Sequence, residues 1–149
     1  MGIVWTNKRD VDMQFKRVQE EYDRKSITFM QSVGERAVKL ARDNGNYTDR
    51  TSNLRNSIGY LIVQNGRVVY ESFNGSADEG RERGRTYAKE VASTLGGYKT
   101  FLVMVAGMEY AAYVEAKGYD VISGAENWIE ASASKLMDEF RRYLKSKAR

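Results

Sequence analysis

Glu109 and Glu115 stand on either side of Tyr110 and Tyr113, and two carboxyl groups held near one another are what a glycosidase uses as acid and nucleophile or base. A chain with 20 acidic residues supplies such pairs by number alone. The side chains that most often carry catalysis near neutral pH are missing. The sequence has no histidine and no cysteine, so the ordinary general base, the thiolate nucleophile, disulfides and the commonest metal ligands are excluded. Gly75, Gly80 and Gly84 lack the strand–turn–helix setting and trailing Lys-Ser/Thr of a phosphate loop, and they do not fit the dinucleotide fingerprint. Asp78, Glu79 and Glu82 are spaced as surface charges and not as a calcium loop. The chemistry therefore points to a non-catalytic chain with no cofactor, no metal and no small-molecule substrate.

What remains is surface. The chain has 10 tyrosines against 5 phenylalanines and 2 tryptophans. Tyr110, Tyr113 and Tyr119 cluster in the least regular stretch, and Tyr98 precedes an apolar run. Tyrosine is favoured at protein interfaces, although such rings also cap a core with their hydroxyls in water. Basic residues number 24 and acidic ones 20, for a net charge of +4. Residues 135–149 carry this entire excess, so the pI near 9.2 describes a basic tail on a neutral body. Arg141, Arg142, Lys145, Lys147 and Arg149 are either a solvated helix end, where cations suit the macrodipole, or a non-specific DNA contact.

At 149 residues the length fits one domain spanning 1–149, and the elements that must position these groups are α+β. Val11, Phe15, Val18, Tyr22, Phe29, Val33, Ala37 and Leu40 recur at helical spacing, which predicts a long first helix over 10–43. Its roughly 50 Å exceeds the ~38 Å of a compact body this size, so it is expected to overhang; the alternative is a break near Lys25–Thr28. Gly34 is tolerated at a cost of about 1 kcal/mol. Asn65-Gly66 between two β-rich runs predicts a hairpin over 58–72, with Val63 opposite Val68, Ile62 opposite Val69 and Leu61 opposite Tyr70. Asn74–Gly84 reads as a loop, 85–95 as a helix closed by Gly96-Gly97, and 101–106, apolar on both faces, as a central strand. Tyr110–Val121 reads as a turn with a short extended piece. Ser123 and Glu126 have capping-box spacing ahead of a helix over 124–146, whose stripe is Ile129, Ala133, Leu136, Phe140 and Leu144. The expected fold is thus a small, mostly antiparallel sheet with a central hairpin, packed by a long N-terminal, one interior and one C-terminal helix. The longest apolar run, 101–108, is far short of the roughly 20 residues that span a bilayer. No signal peptide is evident at Met1–Lys8, so the expectation is a soluble chain made in a cytoplasm.

Two stretches carry a family resemblance. Tyr47, Thr48, Thr51, Asn53, Leu54, Arg55, Ser57 and Ile58 resemble the Y-T-x-x-T-G-N-L-R-x-S-I stretch of long-tailed phage neck proteins, with Ser52 where glycine is usual. Tyr110, Ala111, Tyr113, Val114 and Glu115 resemble the Y-A-x-Y-V-E signature of the same family, followed by Ala116-Lys117-Gly118 in place of its aromatic-Gly-Thr. The order of elements over residues 10–145 agrees with this tail-completion or head–tail joining (minor tail) family, in versions like those of Bacteroides-type phages and prophages. The resemblance implies a virion structural role without catalysis, in a ring at the head-proximal end of the tail that contacts head connector and tail-tube proteins. The seam at Phe15, Val18, Tyr22 and Phe29 would then meet a neighbouring copy. Tyr110, Tyr113, Glu115 and Tyr119 would meet the adjoining ring, and the basic tail would face the DNA channel. The competing expectation is a small nucleic-acid-binding module built on that basic helix.

Overall fold

The computed structural model describes residues 8–96 and 99–146, and of Asp10 the backbone only. Among these residues the elements run α1 (Lys8–Asn44), α2 (Asn53–Asn56), β1 (Ile58–Gln64), β2 (Arg67–Ser72), α3 (Asp78–Ser93), β3 (Thr100–Ala106), α4 (Ala111–Ala116) and α5 (Ser123–Ser146). The sheet is antiparallel in the order β2-β1-β3. It carries α1 and α5 on the face of Tyr60 and Ile62, and α3 on the face of Leu61 and Val63. The fold is α+β.

Helix α1 is unbroken over 37 residues, about 55 Å. Ser26 and Thr28 turn their hydroxyls back onto the carbonyls of Tyr22 and Arg24 one turn earlier, and the helix runs on through this weakly helical stretch because Ile27 and Met30 pack against the core. The apolar seam changes partner along its length. Ala37, Val38 and Ala41 are buried against the sheet, while Leu40 is only half-buried. Phe29 packs on Phe140 of α5, with ring centroids 5.0 Å apart, and Tyr22 meets the same ring edge-on at 6.0 Å. Arg36 lies over Trp128 and Lys25 reaches Leu144, so α1 and α5 run antiparallel. Gly34 is required and not merely tolerated: a Cβ there would lie 2.6 Å from the buried Tyr60 ring, whose hydroxyl donates to Glu35 Oε1 at 2.8 Å.

The hairpin turns at Asn65 and Gly66, both at positive φ (52° and 77°), as a type I′ turn requires. Val63 pairs with Val68, but the remaining expected pairs shift by one: Ile62 faces Tyr70 and Leu61 faces Glu71, leaving Val69 as a bulge. The 101–106 run is an edge strand, not a central one; β1 is central. Its apolar residues on both faces arise because helices cover both faces, with Leu102 and Met104 against the α1 and α5 side and Val103 and Val105 against α3.

The interior helix starts at Asp78, so most of the expected Asn74–Gly84 loop is helical. Gly80 and Gly84 look like loop residues, yet they are the points where α3 touches the backbone of Asn53 and Ser57; a Cβ on Gly84 would also lie 2.9 Å from the Phe73 ring. Gly97, half of the expected stop, lies outside the described residues. Residues 111–116 form α4 where an extended piece was expected. On α5, Leu136 is buried and Ile129, Phe140 and Leu144 are half-buried, but Ala133 faces solvent.

Candidate functional site

The first motif is a hub for the scaffold. Tyr47 is buried beneath the Arg55 guanidinium, 4.6 Å from the ring centroid. Burial first, against the opposing charge of Arg55, pushes the Tyr47 hydroxyl up to about 12. Arg55 donates to the Gly45 and Arg42 carbonyls (2.6 and 3.4 Å) and so closes the end of α1. Asp49 accepts from the backbone N–H groups of Leu54 and Arg55, capping α2. Ser52 adopts the left-handed conformation (φ 60°, ψ 5°) at the position where the resembled stretch carries glycine. The Asn53 side chain accepts from Gly80 N–H and donates to Glu79. The buried Ser57 hydroxyl donates to Leu54 and accepts from Gly107 N–H. One short stretch thereby ties α1, α2, α3 and the end of β3 together.

The second motif divides in two. Ala111 is buried and Val114 half-buried. Glu115 Oε1 accepts from the backbone N–H groups of Val121, Ile122 and Ser123 (3.1, 2.7 and 3.0 Å), and its Oε2 accepts from the Ser123 hydroxyl (2.6 Å). Asp120 adds a bond from Gly124 N–H. The start of α5 is therefore capped from a distance. In place of the expected capping box, the Ser123 hydroxyl goes to Glu115 and the Glu126 N–H goes to Ile122. Burial alone would raise the Glu115 pKa, but the Ser123 hydroxyl and these backbone donors outweigh it and hold the carboxyl below its ordinary value. Glu109 meanwhile pairs with Arg83 at 2.8 Å on the surface. The two carboxylates thus serve different neighbours.

The rest of that motif faces solvent: Tyr110, Tyr113 and Tyr119 are all exposed. Tyr110 borders the first motif; burial, reinforced by Asp49 and opposed by a hydrogen bond with Thr51, raises its pKa. Tyr113 lies under the Lys117 ammonium, 5.0 Å from the ring centroid. Tyr98 lies outside the described residues. At the opposite extreme, Phe15 and Val18 are each 66% exposed and Tyr22 48%, whereas Phe29 is partly buried on α5. The structure therefore separates the sequence-predicted residues into a tyrosine patch at α4 and an apolar stripe on the first turns of α1. Of the basic tail, Arg141 pairs with Asp138 (3.3 Å) and Arg142 and Lys145 are exposed at the end of α5; Lys147 and Arg149 lie outside the described residues.

Sequence reasoning missed Lys25. It is 5% exposed, donates to the Leu144 carbonyl at 3.1 Å and pairs with Glu21 at 3.2 Å, pinning the last turn of α5 to α1. A lysine on an otherwise apolar seam was the available signal. No group of acidic residues among those described is placed to hold a metal ion, and no described helix is long and apolar enough to cross a membrane.

An α+β scaffold whose sequence motifs mostly build its own joints, and which leaves aromatic and apolar side chains exposed at α4 and along the start of α1, is organised around contact surfaces. Residues 9–116 match the HK97-gp10-like family, described as "Bacteriophage HK97-gp10, putative tail-component". The chain belongs to that family of phage tail components, and its place is accordingly in the virion. Comparison with curated proteins and with solved structures gives no match.

Proposed function

We propose that this tail component is the subunit that joins the head connector to the tail, acting without catalysis as copies in a ring at the head-proximal end. The observation that carries this is α1. One seam packs on α5 through Tyr22 and Phe29, then continues to Val18, which is two-thirds exposed. Exposed apolar surface of this kind is costly unless another chain covers it. Copies that meet through two different surfaces close into a ring when the rotation per copy divides a full turn. In this role the α1 stripe meets a neighbouring copy, and Tyr110, Tyr113 and Tyr119 meet connector or tail-tube proteins. Arg141, Arg142 and Lys145, with Lys147 and Arg149, face DNA passing through the channel.

The test is a phage lacking the gene, complemented with wild-type or Val18→Glu protein. Separate filled heads and finished tails without the protein, with joining restored by wild type and not by Val18→Glu, is the expected outcome. Joined, infective particles in its absence would overturn the role. A nucleic-acid module would instead show duplex binding that falls steeply with salt and is lost when residues 141–149 are removed.

A further inference from the structure

The sheet has two edges, and only one is defended. Strand β2 carries Arg67 and Glu71 and is kinked by the bulge at Val69, devices that discourage a further strand from adding. Strand β3 has none of them. Thr100–Ala106 contains no charged residue, and its register with β1 is unbroken from Ile58↔Ala106 to Gln64↔Thr100. Among the described residues no strand lies on its outer side. Beside it is a groove of about 470 Å³, floored by Leu102 and Met104 and walled by Ile122, just ahead of α5, and by Ile129 of α5, with Glu126 and Glu130 at its rim. Neither rim carboxylate takes part in an ion pair among the described residues.

We infer that the outer edge of β3 receives an extended segment of a different polypeptide, one that alternates apolar side chains with lysine or arginine. Main-chain hydrogen bonds to β3 would supply affinity, and the α5 groove would take the apolar side chains. The basic residues would meet Glu126 and Glu130. A second copy is the poorer occupant on two counts. Pairing β3 with β3 across a twofold keeps the α5 helices on one face and sets Glu126 and Glu130 against their own copies. Offering β2 instead brings the Val69 bulge into the new ladder. The inference rests on the edge and its groove, not on the position of the chain in the particle.

The test uses the purified full chain with a synthetic peptide of alternating valine and lysine, followed by backbone NMR shifts and amide hydrogen exchange. The expected result is shift changes confined to 100–106 and the groove wall, with exchange in β3 slowed about tenfold or more and β2 unaffected. The Glu126→Lys/Glu130→Lys variant, changed only at exposed positions, should bind roughly tenfold more weakly. The same peptide N-methylated along its pairing edge should not bind. No binding, binding at β2, or equal binding of the methylated peptide overturns the inference. In assembled particles, a cross-linker on Glu130→Cys attaches to this chain at one site, because the chain has no other cysteine. An adduct with an extended, basic–apolar segment of another protein supports the inference; an adduct with a second copy of this chain, or no adduct, overturns the assigned occupant. The peptide experiment needs no particle, so it decides the surface even if the tail-joining role fails.

Discussion

Replacing Glu115 by alanine removes one carboxylate that accepts four hydrogen bonds: the N–H groups of Val121, Ile122 and Ser123 and the Ser123 hydroxyl. The groups do not count equally. Ser123 is exposed, so water replaces much of what it loses, whereas Val121 is fully buried and its N–H is left without an acceptor. One unsatisfied buried donor together with a lost helix cap costs about 2 kcal/mol. In a chain of this size that lowers the melting temperature by about 4–8 °C. Glu115→Gln keeps a neutral acceptor but loses the charge opposite the helix N-terminus, and should cost about 1 kcal/mol. The two variants also separate by pH. The folded carboxyl lies below its ordinary value of 4.5, so its stabilisation is fully present above that value and drains away as pH falls through the lower folded one. Wild type and Glu115→Gln should therefore differ at neutral pH and converge in acid. Thermal denaturation followed by circular dichroism across that range measures both effects. An unchanged melting temperature for Glu115→Ala, or a wild-type to Gln gap that stays constant on acidification, would refute the remote-cap assignment.

Three further substitutions test the packing. Ser52→Gly should raise stability by about 0.5–1 kcal/mol, seen as a higher denaturant midpoint, because it relieves a left-handed residue at φ 60°. Gly84→Ala should cost about 2–4 kcal/mol, seen as a lower midpoint, despite alanine's higher helix propensity, since the added methyl meets the Ser57 carbonyl and the Phe73 ring. Lys25→Met keeps the apolar stem but loses the bonds to Leu144 and Glu21. Hydrogen exchange at 140–146 should rise several-fold while the sheet amides stay protected.

The local part of this fold was legible in the residue order. Asn65-Gly66 between β-branched runs specifies the hairpin turn, because positive φ at both positions is a property of those two residues. The three-and-four spacing of apolar residues specifies α1 and α5 for the same kind of reason, since helical periodicity is set within a few turns. The tyrosines at 110, 113 and 119 could be singled out by composition, and they do face solvent. Which surfaces meet was not legible. Gly80 and Gly84 read as loop until α3 is laid on the backbone of Asn53 and Ser57. The Phe101–Ala106 run reads as central until helices are seen on both faces of an edge strand. Val69 is extra only relative to β1. Glu115 and Lys25 look like surface charges until each is found closing one end of α5, against groups 6 to 119 positions away in the chain. Periodicity and turn chemistry are short-range properties that the amino-acid order determines unaided. Close approach, edge position and remote capping depend on contacts between distant segments, and those the tertiary structure alone decided.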